Sequence, residues 1–431
     1  MLEKLFKLKE NNTSIRTEVI AGFSTFLTMS YIIFVNPSIL AKTGMDHGAV
    51  FVATCLAAAF GSALMGFLAN YPIALAPGMG LNVYFTYSVV LGSGYSWQVA
   101  LGAVFLSGLI FLGLSILPIR EYIVNSIPKS LKVAIVAGIG LFLSIIGFKS
   151  AGLIAEGKTT VFILSSLHQP TTILAILGFF LIIGLEALGV IGAIIISILT
   201  ITIVGITLGY SSFNGIFSLP PSIMPTILQM DIKGACNLGL FTIVFAFLFV
   251  DLFDNTGTLI GIAYRAGLMD KNGRLPRINR ALIADSSAAI MGAMLGTSTT
   301  TSYVESAIGV KAGGRTGLVA VVVALLFILA LFLSPLAGSI PSYATAPALV
   351  YVACLMARAF TEIHWEDATE YVPAIITAMS IPLTFSVAEG ISFGFISYVA
   401  IKLISGRFRD LNFAVVVLAI VFLVKYAFSS H

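Results

Sequence analysis

The sequence predicts an all-α polytopic membrane protein with about 14 transmembrane spans, and three observations carry that reading. Apolar residues make up 58% of the 431 positions and charged residues only 10%, whereas a soluble globular chain carries about 25% charged residues. Mean hydropathy is +1.04, and the apolar residues fall in runs of about 17 to 24, each long enough to cross a hydrocarbon core roughly 30 Å thick. The basic residues gather in a few short loops that one topology places on a single side of the bilayer.

The opening stretch, MLEKLFKLKENNTSIR, is too charged for a signal-peptide apolar region and has no small-residue cleavage site, so it reads as mature sequence. Spans follow at 17–40, 49–69, 73–90, 98–117, 131–148, 171–187 and 189–209. A polar, proline-containing connection (210–236) leads to a second set at 238–263, 281–295, 299–310, 317–336, 343–360, 371–388 and 391–404. The remaining apolar stretch, 413–428, fits either a further crossing or a helix lying against the bundle.

Loop charges test this count. The basic groups Lys4, Lys7, Lys9, Arg16; Arg120, Lys129, Lys132; Arg265, Lys271, Arg274, Arg277, Arg280; Lys311, Arg315; and Lys402, Arg407, Arg409 are separated by even numbers of spans. All can therefore be cytoplasmic, with the N-terminus inside. Topology thus accounts for the net charge of +4 without nucleic acid as a partner. Cys55, Cys236 and Cys354 are odd in number and lie in or beside apolar segments, which argues against a disulfide framework. His47, His168, His364 and His431 fall in loops or at the terminus, so no metal site is expected within the membrane. The pair Gly78-Met79-Gly80 lacks the third glycine and the strand-turn-helix setting of a dinucleotide loop. No cofactor is expected, and no nucleophile-base-metal set suggests an enzyme.

Two spans depart from ordinary membrane helix. The third reads IALAPGMGLNVYF and the tenth TSTTTSYVESAIGV. Proline removes a helix hydrogen bond and glycine weakens the helix, so both are expected to be partly unwound, a state tolerated at membrane depth only where protein or a watery cavity satisfies the backbone. The stretches before them match: Ala63-Leu64-Met65-Gly66 and Ala289-Ile290-Met291-Gly292 stand at a constant offset of 226. Interrupted segments at matching places in two halves point to a binding site between inverted repeats.

Carboxylates deep in spans are costly and mark function. Asp251 and Asp254 share one helical face by their i, i+3 spacing, and Glu305 lies in the tenth span among hydroxyls. Asn82 closes the third-span motif beside Gly80. Asp285 and Glu186 fall near predicted span ends and Glu389 at a turn, where interfacial or capping roles are expected. A flat heterocycle edged with N–H donors and ring acceptors would find carboxylate acceptors here, free backbone amides from unwound helix, and aromatic walls from Phe247, Phe249, Phe253, Tyr84 and Tyr303. A carboxylate in such surroundings has a raised pKa and can carry a proton across, a role open to Asp251, Asp254 and Glu305.

Four motifs, TEVIAGFSTFLTMSYIIFVNPSIL, PIALAPGMGLNVYF, FVDLFDNTGTLIGIA and GTSTTTSYVESAIGVKAGGRTG, resemble the AzgA-like branch of the nucleobase-cation symporter-2 family over essentially the whole chain. The resemblance implies a proton-coupled permease for adenine, hypoxanthine and guanine in a prokaryotic plasma membrane. It implies two inverted seven-span repeats with spans three and ten partly extended, elevator-like alternating access and a homodimer. It further implies a core domain (1–117 and 237–340) and a gate domain (118–236 and 341–431, including the last apolar segment). By motif, the acid that grips the base falls on Asp254, with Asp251 a second acid, Glu305 the tenth-span acid and Asn82 the polar third-span residue. One extra residue between Glu305 and the following Ile-Gly departs from uracil-type relatives. The weighed alternative is a carrier of the same fold for uracil, xanthine or an inorganic anion such as sulfate, whose site should be electropositive.

Overall fold

The computed structural model describes residues 2–116, 127–157, 162–236, 241–268 and 275–428. Among them, eight helices are long and apolar enough to cross a membrane: Ile15–Thr43, His47–Ala69, Trp97–Ile116, Lys129–Ser150, Pro170–Ala187, Gly317–Ser339, Ser342–Glu362 and Val387–Ile404. Helices Ala193–Thr207, Phe241–Arg265, Ile278–Leu295, Ala368–Thr384 and Phe413–Phe428 complete the main bundle. The chain is an integral membrane protein of mostly helical fold.

The two spans expected to be extended are extended. Strand Leu75–Pro77 pairs antiparallel with strand Thr300–Ser302 in the register Leu75 to Ser302, Ala76 to Thr301 and Pro77 to Thr300. The Gly78 N–H to Thr299 carbonyl bond and the Tyr303 N–H to Ala74 carbonyl bond, both 2.9 Å, lengthen the ladder. Pro77 disfavours helix at Ala76 before it, while the threonine run favours strand. Each segment thereby bares backbone groups that, away from water, need the other for partners. Shifting 75–77 by the repeat offset gives 301–303, one residue from the strand observed.

Short helices resume on the far side of each strand: Met79–Val83, running on as a π-helix over Tyr84–Gly92, and Ser306–Lys311. Around this crossing, helix contacts gather in two groups. In one, Ile278–Leu295 packs on Trp97–Ile116 and His47–Leu64, and Gly317–Ala330 packs on His47–Leu64 and Ile15–Met29. In the other, Lys129–Ser150 packs on Ser342–Ala357 and Ala368–Thr384, which lies against Val387–Ile404. The first group is tightly drawn in: a Cβ on Gly317 would stand 2.1 Å from the Gly66 carbonyl oxygen, so the backbones touch there and only glycine fits.

Glu18 is 0% exposed and completes the same group. Its carboxylate accepts from the backbone N–H of Arg315 (2.8 Å) and Thr316 (3.1 Å) and from the hydroxyls of Thr316 (2.6 Å) and Thr13 (2.8 Å). A negative charge is stabilised at the N-terminus of helix Gly317–Ala330, where unpaired N–H groups converge. In the second group, Lys402, read from the sequence as part of a basic loop segment, lies within the helix Val387–Ile404 and its side chain is 1% exposed, paired with Glu370 at 2.7 Å and Asp410 at 3.0 Å. The Ser130 hydroxyl also donates to Glu370. The ends of three helices and the turn bearing Asp410 are joined through one cation.

The last apolar stretch is a helix packed against Val387–Ile404. Phe422 meets the rings of Phe245 and Phe395 at 5.9 and 6.0 Å, and the Tyr426 hydroxyl donates to Glu389.

Candidate functional site

Helix Phe241–Arg265 packs beside the strand crossing, touching strand Thr300–Ser302, helix Ser306–Lys311 and helix Met79–Val83. The carboxylate-bearing helix therefore lies beside both broken segments, although residues 241–265 are far from either in sequence. Asp251 is 1% exposed on this helix. Asp254 and Phe253 lie on the same helix, with side chains outside the described residues. One turn beyond Asp251, Asn255 is fully buried, and neither its side-chain oxygen nor its nitrogen finds a hydrogen-bond partner among the described residues.

Glu305 sits half-buried in the turn between the second strand and its helix, where its carboxylate accepts from the Tyr31 hydroxyl at 2.8 Å. Tyr31 occupies the break between Ile15–Met29 and Ile32–Leu40. Asn82 is fully buried, and its side-chain oxygen accepts from the Ser298 hydroxyl, fastening one broken segment to the other. Its side-chain nitrogen has no partner among the described residues. The Tyr303 hydroxyl donates to the Pro77 carbonyl at 2.6 Å, so Tyr303 also bolts the crossing together. A Cβ on Gly80 would lie 2.5 Å from Cγ2 of Ile139, on the helix Lys129–Ser150 of the other group.

Of the aromatic walls, Phe247 meets Tyr84 at 4.8 Å between ring centres, while Phe249 packs on Phe245 and Phe395. The Thr299, Thr300 and Thr301 hydroxyls are buried without hydrogen-bond partners among the described residues. Buried polar atoms of this kind are normally paired, and several converging on one crossing suit a polar ligand.

Sequence reasoning missed several groups. Asp285, expected in an interfacial or capping role, is 0% exposed within helix Ile278–Leu295 and accepts from the Ser302 hydroxyl of the second strand at 3.1 Å. The crossing packs a neighbouring helix over it, which the linear span boundaries did not reveal. Asn36 donates to the hydroxyls of Thr54 (2.7 Å) and Thr297 (2.8 Å). Ser62 donates to the Leu75 carbonyl and accepts from the Leu75 N–H. An uncharged Asn within an apolar run was the available signal for Asn36.

Away from the crossing, a cavity of about 160 Å³ is lined by Tyr84, Ser88, Tyr95, Thr242, Ser386 and Glu389, among others. Tyr84 links the two places, since its ring packs on Phe247 and Phe247 precedes Asp251 by one helical turn.

Comparison with known proteins places this architecture. The profile of the Permease family (Xan_ur_permease) matches residues 16–393. The chain is 50% identical over 428 residues to the adenine permease AdeP of Escherichia coli, covering 99% of this chain and 96% of that protein. It is 42% identical over 431 residues to the guanine/hypoxanthine permease PbuO of Bacillus subtilis, covering 98% and 99%. Among solved structures, the transmembrane domain of the cyanobacterial bicarbonate transporter BicA aligns with a TM-score of 0.66 at 19% identity, covering 88% of this chain and 97% of that domain. The last likeness is one of fold.

Proposed function

The chain belongs to the permease family of nucleobase-cation symporter-2 transporters, and we propose that it imports purine nucleobases (adenine, hypoxanthine or guanine) in symport with a proton. One observation carries the reading. A pair of broken segments crosses beside a helix bearing Asp251 and Asp254, leaving buried amide and hydroxyl groups at Asn82, Asn255 and Thr299–301 without partners among the described residues. These groups match a purine edge, with carboxylates to accept ring and exocyclic N–H and amides or hydroxyls to donate to ring nitrogens.

In this mechanism Asp254 grips the base from helix Phe241–Arg265, and Glu305 grips it from the second broken segment. Asn82 donates from the first, and Phe253 and Tyr303 border the ring. One of Asp251, Asp254 and Glu305 takes the coupling proton, and the bound base is held only when the charge state is right. The group containing the crossing acts as a core that moves, elevator-like, against a gate built on Lys129–Ser150, Ser342–Ala357 and Ala368–Thr384. The cytoplasmic N-terminus, the prokaryotic plasma membrane and a homodimer belong to the same reading.

The fold shared with a bicarbonate transporter favours a second reading, an inorganic anion carrier. Acids at Asp251, Asp285 and Glu305 oppose it, because an anion site draws on amides or basic side chains. The deciding experiment is uptake of labelled adenine, hypoxanthine, guanine, uracil and sulfate by cells or proteoliposomes. Purine uptake that collapses with a protonophore supports the proposal, and uptake of sulfate alone overturns it.

A further inference from the structure

The cavity beside Tyr84 lies between elements of the two helix groups. Tyr84, Ser88 and Tyr95 come from the first broken segment and the chain after it, Thr242 from the start of the carboxylate helix, and Ser386 and Glu389 from the start of helix Val387–Ile404. Its volume of about 160 Å³ equals roughly five waters at ~30 Å³ each, which is also the space of a two-ring heterocycle. The Tyr84 hydroxyl and the Ser88 hydroxyl, both more than nine-tenths buried, have no hydrogen-bond partner among the described residues. The Glu389 carboxylate, held by the Tyr426 hydroxyl, is the only acidic group lining the cavity among the described residues, and none of them that line it is basic.

We infer that this cavity is a second nucleobase site, a vestibule occupied before the base reaches the strand crossing; the inference rests on the purine reading above. Its chemistry repeats that of the crossing: a carboxylate to accept N–H, hydroxyls to donate to ring nitrogens, and the rings of Tyr84 and Tyr95 to border a flat face. Counting crossings from a cytoplasmic N-terminus puts residues 92–96 and the start of helix Phe241–Arg265 on the outer side. Tyr84 is the shared wall, since its ring lies against Phe247 at 4.8 Å and Asp251 is the i+4 neighbour of Phe247 on the same helical face. A base leaving the vestibule past Tyr84 thus comes next to the carboxylate helix.

The test uses the full chain with Cys236→Ser and Cys354→Ser, and with Thr242→Cys as the reporter on the cavity wall. On intact cells kept on ice to halt carriage, a membrane-impermeant methanethiosulfonate should label the reporter. Adenine at about ten times its dissociation constant should slow labelling about tenfold. Glu389→Gln should remove that protection and raise KM for adenine uptake about tenfold, as losing one charge-assisted hydrogen bond does, with maximal rate held; Glu389→Asp should restore most of both. Labelling unaffected by adenine, or a Glu389→Gln KM equal to that of the parent, overturns the vestibule while leaving purine carriage standing. Absence of purine uptake by the parent chain itself overturns the reading beneath it.

Discussion

The two broken segments have the same outline and different content. Leu75–Gly92 is apolar at its bend, built from Pro77, Gly78 and Gly80, and resumes at once as helix. The stretch from Thr297 to Lys311 is hydroxyl-rich and carries Glu305 in a turn before its helix resumes. At the crossing itself the first therefore contributes close approach and backbone, with a single amide at Asn82, whereas the second contributes hydrogen-bonding side chains and charge. In the proposed function, two segments of matching outline supply the crossing and their different content suits an asymmetric ligand.

If that division of labour is right, damage to the second half should hit chemistry hardest. Glu305→Ala, and Asp251→Ala or Asp254→Ala on the facing helix, should each cut the initial rate of adenine uptake by more than about 100-fold, as losing a charged partner in a buried site does. The folded protein should still run as a single species by size-exclusion chromatography. Wild-type uptake in these variants would remove the acids from the site.

In the first half, Gly80→Val should cost about tenfold in uptake rate. The new side chain would collide with Ile139 on the opposite helix group, obstructing movement at that seam while adenine binding to purified protein persists. Equal losses of binding and rate would instead place Gly80 at the ligand.

Gly317→Ala probes the shared scaffold. Its methyl group would press on the Gly66 backbone, and overpacking of this kind costs about 1–3 kcal/mol. A thermal unfolding midpoint lowered by several degrees, with KM unchanged, is the expected result.

The smallest effect concerns acidity. Hydrogen bonds from the Thr369 hydroxyl and backbone N–H, helped by the Arg407 guanidinium, hold the Asp367 carboxyl down at about 2. Its folded value lies below the unfolded one of about 3.9. Its contribution is therefore fully present above about pH 4 and lost only as pH falls towards 2. Asp367→Asn should leave the pH profile of uptake unchanged between about pH 5 and 8; a shifted profile would tie this ion pair to proton coupling.

The amount legible in sequence differed between residues for physical reasons. Proline and glycine act on their own backbone, so the loss of plain helix in these spans could be read locally. Tyr31 and Glu305 are 274 positions apart and Asn36 and Thr297 are 261 apart, and nothing in either local sequence announces such a partner. Asp285 was misjudged for the same reason, its burial depending on what packs over it. Lys402 had the composition of a loop cation but the surroundings of a buried ion pair.

Sequence by itself determined that the chain is a membrane protein, that two of its spans cannot be plain helix, and that acids lie in its apolar segments. These follow from hydropathy and backbone covalent chemistry, which act over a few residues. Only the tertiary structure decided that the interrupted spans satisfy each other's backbone, that helix Phe241–Arg265 lies beside them, and that Glu389 shares a cavity with Tyr84. Those outcomes depend on which polar groups meet once helices distant in the chain have packed, and hydrogen bonding is decided by proximity in space.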